Sequence, residues 1–227
     1  MCELNLKKAF ETLKISNSEK TEYTSFEKCK DNYVGKLSYK ECNLFILKKL
    51  RFENFELCSD LNRIDGDNLV IILESPHKNE FLPNLIAPAL GNTGINLNRY
   101  LHEIFYDLLK NNNKSYNVLL FNCVPYQCSL GGSDPNVKNK IFEYMYTKYW
   151  EDDLLKRLKK VKPSIVLVAT TIIELEDKNE VKFKLLDRIN SEIKLDYLYF
   201  STSHPSVWYK SFEVKDYKHD NKTIFSK

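Results

Sequence analysis

The sequence predicts an α/β fold: a three-layer α/β/α sandwich with a central, mostly parallel four-stranded sheet, plus an N-terminal helical extension over residues 1–65. Three observations predict it. Four runs, Leu69–Leu73, Tyr116–Phe121, Ile165–Ala169 and Tyr197–Phe200, are short and continuously apolar or nearly so, as strands buried on both faces are. Stretches with helical spacing alternate with them, an order that gives parallel strands joined by helices. Three of the runs lead directly into polar loops: Glu74-Ser75-Pro76-His77, Asn122-Cys123-Val124-Pro125 and Ser203-His204-Pro205-Ser206. In an open α/β sheet, loops leaving the C-terminal ends of strands converge on one crevice, where ligands bind.

The elements follow in order. Leu4, Leu6, Ala9, Phe10 and Leu13 recur at helical spacing, and Leu44, Ile46, Leu47, Leu50 and Phe52 suggest a second helix. The polar stretch between them, with Asn32 and Gly35, reads as loop. The turn Asp65-Gly66-Asp67-Asn68 introduces the first strand and opens the main domain over residues 66–227. Pro76 ends regular structure, and a long loop with Pro83, Pro88 and Gly91 follows. Asn92 or Thr93 then caps a helix with the apolar face Leu97, Leu101, Ile104, Phe105 and Leu108, closed by Asn111-Asn112-Asn113. After the second strand, Gly131-Gly132-Ser133-Asp134-Pro135 is a loop before helical residues 139–161, broken near Trp150. Asp152 and Asp153 suit the start of the second part, and the basic run Lys156–Lys162 reads as a solvated helix face. Pro163 marks the next boundary, and a helix over 178–191 joins the last two strands. Lys210–Lys227 reads as one short strand or a loose tail.

Composition narrows the classes. The 227 residues suit one large domain, or a domain with a subdomain. No run approaches the roughly 18 apolar residues of a membrane span. The N-terminus carries no signal-peptide core, so the cytoplasm is the default expectation. A net charge of +3 permits nucleic-acid binding without arguing for it. The six cysteines, at 2, 29, 42, 58, 123 and 128, form no Cys-x-x-Cys pair, so neither disulfides nor a metal site nor any other cofactor is expected. The first strand is not followed by Gly-x-Gly-x-x-Gly, and neither Gly-x-Ser-x-Gly nor Gly-x-x-x-x-Gly-Lys occurs. Dinucleotide oxidoreductases, elbow-type hydrolases and P-loop ATPases drop in rank.

Three side chains stand out chemically. A carboxylate at Glu74, closing an apolar strand, suits acid–base work or the stabilisation of a cation. Asn122 offers an acceptor and two donors with which to read a base edge. His204, held extended by Pro205, can give a hydrogen bond to a developing oxyanion. Each has a plainer reading: a capping or solvated Glu, a turn-forming Asn, structural imidazoles at His77 and His204. Chance less readily puts such a group on three strand-end loops together.

At these residues the chain resembles the uracil-DNA glycosylase superfamily. Leu73-Glu74-Ser75-Pro76-His77-Lys78-Asn79-Glu80 looks like its first motif, and Gly91-Asn92-Thr93-Gly94 like the segment opening the next helix. Val118–Pro125 looks like the strand bearing the base-reading Asn, Lys162–Ala169 like the Pro-led central strand, and Ser203-His204-Pro205-Ser206 like the closing His-Pro-Ser loop. The resemblance covers residues 67–210. It implies a DNA glycosylase that flips a nucleotide into the crevice, as a monomer, with DNA as partner. Glu74 would stabilise the cation-like sugar and direct water, His204 would donate to the departing pyrimidine, and Asn122 would read its edge. Ser75, Pro76, Gly94 and Ser206 would lie along the DNA, with Val207 and Trp208 wedging into the stack.

The chain departs from that pattern at informative places. Pro88-Ala89-Leu90 stand where relatives supply an aromatic that stacks on the base, leaving Phe81 as a substitute from earlier in the loop. Leu73 and His77 replace small glycines, and Tyr126 stands where iron–sulfur branches carry a cysteine. A reshaped base pocket, lined by His77, Phe81, Ala89 and Asn122, points to a substituted pyrimidine, as in modified phage DNA and hence defence, ahead of uracil and housekeeping repair. A non-catalytic DNA- or nucleotide-binding module of the same fold is the alternative.

Overall fold

The apolar runs form strands at the centre of a larger sheet. The structure, a computed structural model, describes residues 2–16, 20, 27–44, 66–77, 80–82, 85–86, 89, 91–128, 135–170 and 180–227. In chain order these form α1 (Cys2–Thr12), β1 (Asn32–Ser38), β2 (Cys42–Leu44), β3 (Asn68–Leu73), β4 (Phe81–Leu82), β5 (Leu85–Ile86), α2 (Asn92–Asn112) and β6 (Ser115–Asn122). Then come α3 (Pro135–Met145), a π-helical turn (Tyr146–Trp150), α4 (Glu151–Val161), β7 (Ile165–Val168), α5 (Glu180–Glu192), β8 (Tyr197–Ser201), a 3₁₀ turn (Pro205–Val207), β9 (Glu213–Asp216) and β10 (Lys222–Ser226).

β3 pairs in parallel with β6 on one side and β7 on the other, and β8 continues in parallel beyond β7. Every residue of β3 and β7 is buried. Their side chains divide by the two-residue period of a strand. Val70, Ile72, Val166 and Val168 enter one core with Leu6, Phe10, Leu155 and Leu186 of α1, α4 and α5. Leu69, Ile71, Ile165 and Leu167 enter another with Leu97, Leu101 and Phe105 of α2. Helices therefore cover both faces.

The four-stranded expectation is corrected: among the described residues the sheet has eight strands, in the order β10-β9-β8-β7-β3-β6-β1-β2. β1 lies antiparallel on β6 with β2 outside it, and β9 and β10 extend the other edge antiparallel to β8. The helical extension is corrected with it. Among the described residues α1 is helical as expected, and the Asn32–Gly35 stretch lies in a strand. Gly35 sits at a β-bulge with φ of 142°, a conformation suited to glycine, so the residue read as a loop signal marks an irregular strand. Leu44 ends β2, and the rest of the expected second helix lies outside the described residues, as does the Gly131–Asp134 loop. The C-terminal segment is no loose tail, since Phe212 and Val214 are buried in the α2-side core.

α2 begins after Gly91, which makes no side-chain cap, so neither Asn92 nor Thr93 is the cap. It ends as expected, on Asn113 in the left-handed conformation with its N–H on Leu109 O. The helical residues before Pro163 do break at Trp150, through the π-helical turn. The basic run is not uniformly solvated. Arg157 is 15% exposed and turned inward, because Asp31 and Asp153 wait there to pair with it. Among the described residues no helix is long and apolar enough to cross a membrane.

Candidate active site

From β3 the chain moves to β6, then reverses past β3 to β7 and β8. Such a reversal is the topological switch point of an open α/β sheet, and it opens a crevice beyond the carboxyl ends of the strands. The loop leaving β3 lies at that point. It is fixed there by main-chain bonds, from Cys123 N–H to Leu73 O at 2.8 Å and from Val124 N–H to Glu74 O at 3.1 Å.

A cavity of about 440 Å³ occupies the crevice. The loop after β3 contributes Glu74, Ser75, His77 and Glu80 to its wall. The start of α2 adds Gly91, Asn92 and Thr93, α3 adds Lys138, and the closing loop adds His204, Ser206 and Val207. The volume falls within the range of small-molecule sites.

Glu74 is 3% exposed. Its Oε1 lies 2.7 Å from Lys138 Nζ, so the buried carboxylate enters the site as half of an ion pair. His204 is half-buried, with extended backbone (φ −69°, ψ 143°) as a residue before proline prefers. Its Nδ1 accepts the Ser206 N–H at 3.2 Å and lies 2.9 Å from Ser206 Oγ. With Nδ1 an acceptor, the neutral ring carries its proton on Nε2. Burial lowers the His204 pKa to about 4; the Glu74 charge opposes the shift and Lys138 adds to it. The imidazole is therefore a neutral donor at physiological pH.

Glu80, 6% exposed, behaves oppositely. Burial raises its pKa to about 8, against the lowering effect of the Ala89 and His77 backbone N–H groups. Oε1 accepts the Ala89 N–H at 2.9 Å, while Oε2 has no hydrogen-bond partner.

The structure thus gathers Glu74, Ser75, His77, His204, Ser206 and Val207 around one cavity. The other expected residues lie elsewhere. Asn122 ends β6 opposite Leu73, 1% exposed and behind the wall, with its Oδ1 lacking a partner. Phe81 is half-buried in the β4–β5 hairpin. Ala89 is fully buried at φ of 60°, held by Glu80. Pro76 is buried, and Gly94 is buried within α2. Trp208 is corrected outright: it is fully buried, stacked on Phe212 at 4.4 Å, and its Nε1 donates to Ser201 Oγ at 3.1 Å and Ser203 O at 3.0 Å. A ring so held is core, and the exposed aromatic beside it is Tyr209.

Glu80 and Lys138 are cavity residues to which the sequence reading gave no role. Glu80 belonged to the first motif, but nothing local marks a carboxylate for burial. Lys138 reads as one more helical lysine until the fold sets it beside Glu74. Among the described residues no group of three or more His, Cys, Asp or Glu is gathered as metal ligands would be. No protein-family model matches the chain, and no curated protein matches it.

Proposed function

We propose that the chain is a DNA glycosylase that hydrolyses the N-glycosidic bond of a flipped-out pyrimidine bearing an added group, leaving an abasic site. One observation carries the reading: a carboxylate and a neutral imidazole with its proton on Nε2 line the same cavity at the switch point. As the bond from C1′ to the ring nitrogen breaks, its electron pair leaves with the base and charge grows on a ring oxygen. His204 Nε2–H donates to that oxygen. The sugar becomes cation-like, and Glu74 stabilises it and orients water, as carboxylates do in glycoside cleavage. The water oxygen bonds to C1′, and its proton passes through the carboxylate to solvent.

The test is base release followed by mass spectrometry. Glu74→Gln and His204→Ala should each slow release by on the order of 100-fold or more, with DNA binding nearly unchanged. Full activity in both variants would sink the assignment.

Two observations support a substituted base. Ala89 contributes no stacking surface, an interaction worth roughly 1–3 kcal/mol per base in single-strand binders. The cavity also exceeds what a bare pyrimidine ring fills. In competition between duplexes carrying uracil, hydroxymethylated cytosine and glucosylated cytosine, a modified cytosine should be released first. If uracil leads by a wide margin, the widened-pocket reading is wrong.

The Glu74–Lys138 pair favours a second reading, a binding pocket without catalysis, because Lys138 already neutralises the carboxylate. Tight binding of modified DNA with no base released under any condition selects it.

A further inference from the structure

The reaction proposed above leaves one carboxyl group of the cavity unused. Glu80 lies in the wall, on the same loop as Glu74, and is 6% exposed. Its Oε1 accepts the Ala89 N–H at 2.9 Å, and the His77 backbone N–H also bonds the carboxyl group. Its Oε2 is enclosed and has no hydrogen-bond partner. Among the described residues the charged and titratable groups around it are Glu74 and Lys138, which pair with each other, His77 on its own loop, His204 across the cavity, and the buried Cys29 thiol, whose pKa an ionised Glu80 raises further. None of these cations pairs with Glu80. A carboxylate buried without a counter-charge resolves its cost by keeping a proton. Oε1 already serves as an acceptor, so the proton belongs on Oε2. The result is an enclosed O–H donor with no acceptor among the described residues, on a side chain that lines the cavity.

We propose that Glu80 is a specificity-determining residue of this cavity, its Oε2–H donating a hydrogen bond to an oxygen acceptor on the bound pyrimidine or on the group that pyrimidine carries. A site with such a donor rejects a ligand that leaves it unmatched, and an ionised Glu80 repels the same oxygen. The choice of ligand rests on the glycosylase reading; the state of the carboxyl does not, and the experiment separates the two.

The first arm needs no DNA. Folded Glu80 holds its proton up to about 8, whereas the unfolded group releases it near 4.5. Its contribution to stability is therefore full below 4.5 and is lost as pH rises through 8. Compared with Glu80→Gln, the wild type should lose thermal stability across that window and no further above it. Parallel curves for the two proteins overturn the proposal.

The second arm measures binding of duplexes carrying uracil, hydroxymethylated cytosine or glucosylated cytosine at about pH 6 and about pH 9. Wild-type affinity for the matching duplex should fall about tenfold between these values, following the protonated fraction. Glu80→Gln keeps an N–H donor for the ligand and a carbonyl for Ala89, and its affinity should stay level. Glu80→Leu should bind weakly at both. The duplex that shows the fall identifies the acceptor. Level wild-type affinity, or undiminished binding by Glu80→Leu, overturns the donor role even where the first arm succeeds. Failure of every duplex to bind overturns the ligand, and wild-type base release, measured separately, judges the glycosylase reading.

Discussion

His204 owes its chemistry to one main-chain bond. Because the Ser206 N–H occupies Nδ1, the ring need not choose between tautomers, and its other nitrogen is a fixed donor. The same burial makes the residue acid-sensitive. Its folded pKa lies near 4 and its ordinary value is 6.5, so between these the unfolded chain binds the proton that the folded chain refuses. The stability that neutral His204 contributes is present above 6.5 and is lost as pH falls through 4. Melting temperatures between neutral pH and about 4 should fall more steeply for the wild type than for His204→Gln; equal slopes would show that the ring remains solvated. Glu74 and His204 were legible in the sequence because one directly follows, and the other lies three residues beyond, a strand apolar enough to be recognised. Trp208 was misread because the register after His204 does not reveal that a 3₁₀ turn rolls the indole inward, toward Phe212. Glu80 was not legible because nothing in the residues beside it shows that the loop folds its carboxyl inward onto the Ala89 N–H.

Elements show the same division. β3 and β7 are buried on both faces, and a strand of that kind is apolar throughout and declares itself. β1, β9 and β10 lie at or near the edges and carry lysines and serines on exposed or half-exposed positions, so their sequences look like loop. The long helical segment was legible down to its break, because Glu151, Asp152 and Asp153 begin a new first turn after Trp150. The end of α4 carries a correctable strain. Lys162, its C-terminal cap, sits at φ 46° and ψ 63°, where a side chain costs about 1–2 kcal/mol and glycine does not. Lys162→Gly should raise stability by about 0.5–1 kcal/mol in urea denaturation. A loss of stability would mean that the lysine stem makes contacts outweighing the strain.

Across the whole molecule, Arg157 ties a helix to two neighbouring strands of the sheet. Its Nη1 bonds both carboxylate oxygens of Asp31 at 2.7 and 2.9 Å, its Nε bonds Asp153 at 2.7 Å, and its Nη2 holds the Asn122 main-chain oxygen at 3.0 Å. One guanidinium thus ties α4, the segment entering β1 and the end of β6 beside the cavity. Removing it strands a buried Asp31. Arg157→Ala should lower stability by about 3–5 kcal/mol in chemical denaturation, and Arg157→Lys should not restore it, because a single ammonium cannot span the fork. A loss below about 1 kcal/mol would show the pair to be worth no more than a surface contact. Parallel strands, alternating helices and a crevice at their carboxyl ends follow from local pattern. Joints such as this one follow from which elements meet, and no single stretch of sequence carries that information.

The inward turn of Trp208 equips the closing loop with an optical reporter. The chain has only two tryptophans. Trp208 lies in the α2-side core, four residues from His204 and bonded to Ser203, while Trp150 lies in the opposite core, across the sheet. A guest that draws on His204 and shifts its loop alters the stacking and hydrogen bonding of one indole and leaves the other in place. The emission spectrum of the unlabelled protein therefore carries one signal tied to cavity occupancy and an internal reference beside it. Occupancy becomes readable by fluorescence in rapid mixing, before any bond in the guest is cut.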